Sequence, residues 1–133
     1  MDYRRTSGGV SNLNYHLVWT PKYRLSVLVG DVADDLEKLL REKADELGVE
    51  VKHLAIKPDH LHLFVSAPPD LSPSKLANQF KGYSSRILRQ RYGHLVSRMP
   101  SLWSRSYYVG SSGHVSDKTI ARYIAAQEKR SGA

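Results

Sequence analysis

The sequence predicts an α+β fold built on one antiparallel sheet. Its 133 residues, 41% of them hydrophobic, suit a single domain with one core. Helix-like segments are separated by strand-like segments, and two strands form a hairpin in the middle of the chain. The order, β-α-β-β-α-β and then one more helix, matches the split β-α-β arrangement of ferredoxin-like and RRM-like proteins. We expect residues 1–133 to form one domain with an appended C-terminal helix that carries Tyr123.

The N-terminal segment is predicted to contain a loose arm and the first strand. Residues 1–12 have no regular pattern and are expected to form the arm. Residues 14–20 (NYHLVWT) favour a strand that ends at Pro21. Residues 23–29 (YRLSVLV) are predicted to form a short extended segment.

The first helix is predicted between Asp31 and Gly48. Asp31 is a suitable N-cap residue, and glycine commonly ends a helix. The outer face of this segment is acidic and is expected to face solvent. Its apolar residues recur at helical spacing: Val32, Leu36, Leu39, Leu40, Ala44 and Leu47.

The middle of the chain is predicted to form a hairpin and a second helix. Residues 50–57 and 60–67 favour strands, and the Pro58-Asp59 pair between them favours a turn. Ser72 then suits an N-cap, and Pro73 suits the first position of a helix that continues to about Tyr92. The apolar stripe of that helix is Leu76, Phe80, Tyr83, Ile87 and Leu88.

The last third is predicted to be less regular. Residues 94–105 show no periodicity, and residues 106–109 (SYYV) favour a short strand. The glycine-containing stretch 110–113 is expected to be a flexible joint. Ser116 suits the N-cap of a final helix that runs through Ile120, Tyr123, Ile124 and Gln127.

The charge of the chain is positive and unevenly distributed. The chain has 20 Lys and Arg against 13 Asp and Glu, which indicates a polyanionic partner. Residues 71–116 contain no acid but seven bases and six aromatic rings, a composition typical of surfaces that bind single-stranded nucleic acid. The alternative is a solvated basic helix whose aromatic residues belong to the core. The candidate phosphate contacts are Lys81, Arg86, Arg89 and Arg105.

Several classes of protein are excluded or disfavoured. The absence of cysteine excludes disulfides, thiol catalysis and cysteine-ligated metal sites. No apolar run approaches the ~20 residues of a membrane-spanning helix. The first residues, MDYRRTSGG, lack the apolar segment of a signal peptide. We expect a cytoplasmic protein with no membrane partner.

Two local patterns could carry chemistry. His60 and His62 alternate with Leu61 on a predicted strand, so both imidazoles leave the same face and could bind a metal ion. Tyr123 and Gln127 are spaced i,i+4 on the last predicted helix, and a tyrosine oxygen can attack a phosphodiester. Taken alone, each pattern is more often structural: the histidines as surface or hydrogen-bonded residues, Tyr123 as part of a core stripe. His16 and His53 stand alone in the sequence and are expected to be structural.

Together, these patterns resemble a known family. The resemblance rests on residues 15–24 (YHLVWTPKYR), 58–63 (PDHLHL), 102–107 (LWSRSY) and 120–127 (IARYIAAQ). In this order and spacing they resemble the single-tyrosine HUH transposases of the insertion-sequence 200/605 family. The match spans nearly the whole chain and favours the catalytic interpretation of both patterns.

The resemblance implies an activity and a set of site residues. Tyr123 would attack a phosphate in single-stranded DNA, leaving a 5′-phosphotyrosine and a free 3′-OH, and a second 3′-OH would rejoin the DNA. His60, His62 and Gln127 would bind a divalent ion, Mg²⁺ or Mn²⁺. The partner would be single-stranded DNA with hairpin ends. The chain would act as a homodimer with composite active sites, in which one protomer's tyrosine helix reaches the other's histidines.

Three other functions stay open on sequence grounds. A domesticated relative would use the same chemistry on dispersed chromosomal palindromes. A non-catalytic RRM-like module would bind RNA through aromatic residues at the sheet centre, although an RNP-type motif is missing. A metal-dependent phosphodiesterase without a covalent step would not need Tyr123.

Overall fold

The structure is a computed structural model, and it describes residues 3–6, 9–111 and 116–127. Its strands and helices follow the predicted order, with a short hairpin added at the N-terminus. A 3-10 turn covers Lys22–Arg24. The elements are β1 (Arg4–Thr6), β2 (Gly9–Ser11), β3 (Leu13–Trp19), α1 (Gly30–Leu47), β4 (Glu50–Lys57), β5 (His60–Ala67), α2 (Pro73–Arg91), α3 (His94–Ser97), β6 (Tyr108–Gly110) and α4 (Asp117–Ala125).

The main sheet has four strands in the order β4-β5-β3-β6. Each neighbouring pair is antiparallel. The two central strands, β3 and β5, are hydrogen-bonded to each other, while the hairpin partner β4 and the last strand β6 lie at the edges. This is the ferredoxin-like arrangement, so the predicted fold class is confirmed.

The core lies on one face of this sheet. Side chains of β5 alternate, and Leu61, Leu63 and Val65 are completely buried on the inner face. The apolar stripes of α1 and α2 pack against the same cluster, with Leu36 and Leu40 from α1 and Phe80 and Leu88 from α2. Burying each such side chain contributes roughly 1.5–3 kcal/mol, which makes this face the main source of stability.

The predicted helix caps are mostly confirmed. Ser72 Oγ accepts a hydrogen bond from the Lys75 amide at 3.2 Å, with Pro73 in the first turn of α2. Ser116 Oγ likewise accepts from the Thr119 amide at 3.1 Å at the start of α4. Gly48 ends α1 with a left-handed φ of 70°. The exception is the predicted N-cap of α1, which lies too late in the sequence.

That error has a simple cause. Helix α1 begins at Gly30, and Val29 occupies the N-cap position without a side-chain cap. Asp31 therefore lies inside the first turn. A carboxylate there still stabilises the helix through the dipole, which is why the residue type indicates a helix start at nearly the right place.

The prediction of a loose arm over residues 1–12 needs correction for the residues that the structure describes. Strands β1 and β2 pair in antiparallel fashion. Arg4 fastens this hairpin to the domain, because its guanidinium donates to the Gly48 carbonyl and to the Ser66 carbonyl, each at 3.0 Å. The strands are too short to produce a periodic sequence signal.

Other boundaries also differ from prediction. Residues 23–29 form no strand: the turn at Lys22–Arg24 comes first, and an irregular segment follows. The irregular stretch 94–105 contains the short helix α3, and the last strand runs over Tyr108–Gly110 instead of 106–109. Of the predicted joint at 110–113, Gly110 ends β6 and Ser111 follows it, while residues 112 and 113 lie outside the described residues.

Among the described residues, the helices are all too short or too polar to cross a lipid bilayer.

Candidate active site

The second face of the sheet carries mainly polar and aromatic side chains, with Val18 buried among them. On β5, His60, His62 and Phe64 alternate with the buried leucines and leave this open face. The register of β3 on β5 places Val18 opposite His62 and His16 opposite Phe64. The His16 and Phe64 rings stack with centroids 4.1 Å apart. His60 and His62 therefore share a face, as predicted.

His60 is oriented by its neighbour in the sequence. Its Nδ1 lies 2.9 Å from Asp59 Oδ1. The other carboxylate oxygen, Oδ2, forms an ion pair with Arg24 Nε at 3.3 Å. A histidine whose Nδ1 is held by a carboxylate presents Nε2 to a metal, a common arrangement around metal-binding histidines.

His62 is held by a second histidine. Its Nε2 lies 2.8 Å from His16 Nδ1, and the His53 ring packs edge-on with centroids 5.9 Å apart. Burial, together with the neighbouring imidazoles of His16, His53 and His60, lowers the pKa of His62 to about 4. The ring is therefore neutral near pH 7, which is the form that binds metal ions.

Sequence reasoning missed the roles of His16 and His53. Each stands alone along the chain, and His16 lies 46 positions from His62. The available signal was the alternation of side chains along each strand. Once β3 and β5 pair in the observed register, His16 and His62 must leave the same face. Register between distant strands cannot be derived from either strand separately.

Tyr123 and Gln127 meet through a residue that the sequence did not single out. Ser106 Oγ lies 2.9 Å from the Tyr123 hydroxyl and donates to Gln127 Oε1 at 2.8 Å. Because a serine has one proton and Gln127 Oε1 can only accept, Ser106 accepts from the tyrosine O–H. Gln127 Nε2 also donates to the Tyr123 carbonyl at 3.2 Å. The predicted pair is therefore confirmed as neighbours, although Gln127 lies just beyond the end of α4.

Burial is the main influence on the tyrosine hydroxyl. It raises the pKa of Tyr123. The Tyr108 ring packs near the Tyr123 ring with centroids 6.2 Å apart. The hydroxyl is thus protonated near neutral pH and needs assistance before it can act as a nucleophile.

The segment that carries Ser106 is fastened to the end of β3. The Lys22 amide donates to the Leu102 carbonyl at 2.8 Å, and the Ser104 amide donates to the Thr20 carbonyl at 3.0 Å. Trp103 is buried and its indole N–H donates to Ser84 Oγ on α2 at 3.1 Å. These contacts place the 102–106 segment, part of one of the four motif segments, beside the tyrosine helix.

Helix α4 docks on its own chain through polar contacts and partly buried side chains. None of the residues of α4 is fully buried. Arg24 Nη1 donates to the Ile124 carbonyl at 2.7 Å, in the last turn of the helix. Through Arg24 and Asp59, the tyrosine helix is connected to His60.

The donors expected for a metal ion are present in two groups. Within the described part of the chain, no three histidine, aspartate or glutamate side chains converge as a metal site. The two histidines form one group, and Gln127, tied to Ser106 and Tyr123, belongs to the other. Two neutral imidazoles and an amide oxygen are suitable ligands for Mn²⁺ or Mg²⁺, so the residue types fit such an ion.

Two of the four predicted phosphate contacts are engaged within the protein. Lys81 Nζ donates to the carbonyls of Ser104 at 2.7 Å and Ser106 at 3.2 Å, and burial lowers its pKa. Arg89 donates to the Met99 carbonyl at 3.2 Å. Both residues brace the 99–106 segment, so any phosphate contact would come in addition to this structural role.

The other two are more exposed. Arg86 lies over the Tyr83 ring, 5.8 Å from its centroid. Arg105 lines a cleft of about 620 Å³ together with Lys22, Tyr23 and Lys81. A neighbouring cleft of about 230 Å³ shares Lys22, Tyr23 and Arg105 and also reaches Ser106 and Gln127. Lys22, which the charge pattern does not single out, thus joins Arg105 in a basic groove beside the tyrosine network.

Comparisons with known proteins agree with this geometry. The chain matches the family model described as IS200-like transposase over residues 9–127. It is 35% identical to the ISDra2 transposase TnpA of Deinococcus radiodurans over 132 residues, which is 98% of this chain and 94% of that protein. It is 32% identical to the IS200 transposase of Salmonella typhimurium, covering 87% of this chain and 77% of that protein.

Solved structures share the fold. A crystal structure from Deinococcus radiodurans, described as a transposase, superposes with a TM-score of 0.87 and 34% identity, covering 96% of this chain and 99% of that one. A REP-associated tyrosine transposase bound to a REP hairpin superposes with a TM-score of 0.58 and 14% identity, covering 93% and 68% of the two chains. The family match over most of the chain, together with these relatives, shows that this protein belongs to the IS200-like transposase family.

Proposed function

We propose that this transposase cleaves and rejoins single-stranded DNA at insertion-sequence ends, with Tyr123 as the nucleophile. The observation that carries the proposal is the hydrogen-bonded group Tyr123–Ser106–Gln127. It holds a tyrosine hydroxyl beside a basic groove and connects through Arg24 and Asp59 to the histidine face. An α+β module that only bound DNA would not need a tyrosine hydroxyl held in this way.

Each proposed step forms one phosphodiester bond as it breaks another. The Tyr123 oxygen attacks a backbone phosphorus, and the bond from phosphorus to the 3′ oxygen breaks. The tyrosine proton leaves to solvent or a neighbouring acceptor, and the 3′ oxygen takes up a proton. The products are a 5′-phosphotyrosine and a 3′-OH. When the 3′-OH of another strand attacks the phosphotyrosine, DNA is rejoined and Tyr123 is regenerated without ATP.

His60, His62 and Gln127 would hold the divalent ion, Mg²⁺ or Mn²⁺. The neutral state of His62 and the carboxylate-held Nδ1 of His60 support this assignment. When bound, such an ion supplies Lewis-acid polarisation of the phosphate and stabilises the charge that develops during attack. The chain's own residues orient the ligands: Asp59 holds His60, His16 holds His62, and Ser106 holds Gln127.

The DNA partner is proposed to be a single strand with hairpin ends. Lys22 and Arg105 in the groove, with Arg86 on the surface of α2, are available to meet phosphates. A relative with the same fold is bound to a REP hairpin, which supports the alternative that this chain is a domesticated, palindrome-associated transposase with the same chemistry. Subterminal hairpins in the DNA flanking the gene would distinguish a mobile element from that alternative.

The decisive test replaces Tyr123 with Phe. This variant keeps the ring but lacks the nucleophile, so with single-stranded DNA from the flanks of the gene it should bind normally and form no covalent adduct on a denaturing gel. Tyr108→Phe is the matched control, because it removes the hydroxyl of the ring that packs near Tyr123. This variant should still form the adduct. An adduct that persists in Tyr123→Phe, or in excess EDTA, would contradict the mechanism.

The same experiment separates the other functions. Cleavage without an adduct in Tyr123→Phe would indicate a metal-dependent phosphodiesterase. Binding without cleavage by the unmodified protein, under every divalent ion tried, would indicate a non-catalytic module.

We further propose that the protein acts as a homodimer with composite sites. The tyrosine helix is held to its own chain without a fully buried side chain and could serve a second copy. Mixing Tyr123→Phe with His62→Ala tests this, because one site in the mixed dimer then has both an intact tyrosine helix and an intact histidine pair. Recovered cleavage supports sites formed between protomers. An inactive mixture, with mixed dimers confirmed by mass, would contradict that arrangement and leave the residue roles unaffected.

A further inference from the structure

Two consecutive residues after β3 adopt an unusual backbone conformation. Tyr23 and Arg24 have φ values of 59° and 51°, in the left-handed region that favours glycine. Such conformations are unfavourable for a residue with a side chain, and they persist only where the surroundings enforce them. The strain therefore indicates that the position of these side chains matters.

With this backbone conformation, the Arg24 guanidinium lies between the end of the tyrosine helix α4 and Asp59, which holds His60. Its Nη1 donates to the Ile124 carbonyl at 2.7 Å, and its Nε lies 3.3 Å from Asp59 Oδ2. Only 16% of the side chain is exposed. The Ile124 carbonyl also accepts from the Gln127 amide at 3.1 Å, so Arg24 adds a second, charged donor at the C-terminal end of α4, where a cation interacts favourably with the helix dipole.

Asp59 divides its two oxygens between Arg24 and His60. Oδ2 faces Arg24 and Oδ1 faces His60 Nδ1 at 2.9 Å. One continuous path of polar contacts therefore runs from the tyrosine helix to the first histidine. Movement of the guanidinium would release α4 and also remove the counter-charge that orients Asp59.

We propose that Arg24 is a positioning residue that couples the docking of the tyrosine helix to the orientation of His60. The importance of this coupling for DNA cleavage rests on the proposed function, whereas the docking itself does not. A guanidinium suits this place because Nη1 donates to the Ile124 carbonyl while Nε lies within ion-pair distance of Asp59. A lysine ammonium would carry the same charge but could not span both partners in this geometry.

The experiment compares Arg24→Gln and Arg24→Lys with Arg41→Gln. Arg41 is a matched control, because it forms an exposed ion pair with Glu37 on the far helix α1. Amide hydrogen exchange of residues 117–127 is measured without DNA or metal. Arg24→Gln should exchange roughly tenfold faster or more in α4, because it lacks a charge-assisted hydrogen bond, and Arg24→Lys should show a smaller increase, while β5 keeps its protection in both. The control should match the unmodified protein.

A second measurement follows His60 directly. The ring-nitrogen chemical shifts of His60, read by NMR without metal, report the hydrogen bond to Asp59. In Arg24→Gln they should change, and Mn²⁺ alone should bind roughly tenfold more weakly, the usual effect of disturbing a residue that orients a metal ligand.

The outcomes are separable. Unchanged exchange in α4 would overturn the docking role, and unchanged His60 shifts with faster exchange would overturn the coupling. Retained β5 protection ensures that neither result reflects misfolding, and Arg24→Lys provides a milder variant if Arg24→Gln does not fold. If both predicted changes occur but the unmodified protein forms no adduct with DNA, the coupling stands and the proposed function fails.

Discussion

The two faces of strand β5 carry different kinds of side chain, although the residues of the two faces alternate along the strand. Leu61, Leu63 and Val65 are completely buried against helices, and each could be replaced by another aliphatic side chain of similar volume. His60 and His62 are each held by a specific polar partner at 2.9 Å or less. Stability therefore depends mainly on the inner face and the proposed chemistry on the open face, so neighbouring substitutions should have unlike effects.

The largest expected contrast is between His62→Ala and Leu63→Ala. Leu63→Ala should lower the free energy of unfolding by about 2–5 kcal/mol, because it leaves a cavity in the core. His62→Ala should abolish adduct formation and leave chemical denaturation nearly unchanged. Denaturant unfolding and a denaturing gel measure the two effects. Comparable destabilisation by His62→Ala would show that the open face also supports the fold.

An intermediate effect is expected for Ser106, which serves only the open face. Ser106→Ala removes the hydrogen bonds to both Tyr123 and Gln127 and should slow adduct formation roughly tenfold, or about 1.4 kcal/mol, which lies within the range expected for two such bonds. Ser106→Thr keeps the hydroxyl and should recover most of the rate. Single-turnover kinetics measure the difference. Equally slow reaction in both variants would indicate that the space at this position, and not the hydroxyl, is what matters.

The smallest effects are expected for two basic residues, Arg105 and Lys81, which separate DNA binding from stability. Arg105→Ala should reduce the log–log salt slope of DNA binding by ~0.7–0.9 for each phosphate that the protein no longer neutralises, without changing stability. Lys81→Ala should reduce the salt slope in the same way. It should in addition lower the melting temperature, because Lys81 on α2 donates to the carbonyls of Ser104 and Ser106. Unchanged salt slopes in both variants would place the DNA on another surface.

Local signals explain why much of the fold is predictable. The bounds of β4 and β5, and the start of α2 at Pro73, follow from residues within a few positions of each boundary. The fold class then follows from the order of elements, because few topologies accommodate it. The short strands β1 and β2 lack enough residues to show a period, so the sequence wrongly indicates a loose arm there.

The site is predictable only in part. The spacing of His60 and His62, and of Tyr123 and Gln127, is a local pattern that specifies a shared face. Ser106, 17 positions before Tyr123, and Arg24, 100 positions before Ile124, meet their partners only after the chain folds. Lys81 shows the opposite problem: its charge suggests a ligand contact, and the structure shows it bound to carbonyls of its own chain.

The shallow docking of α4 has a consequence for how fast Tyr123, the proposed nucleophile, can change its position. A few hydrogen bonds, each worth a net 0.5–1.5 kcal/mol, hold a helix with no fully buried side chain, so we expect an undocked population of roughly 0.1–10%. Such segments exchange within microseconds to milliseconds. Arg24 binds a backbone carbonyl, which every copy of the chain presents. Transfer of the tyrosine helix to a second copy, as in the homodimer proposed above, would therefore cost little energy, while the aliphatic core remains folded.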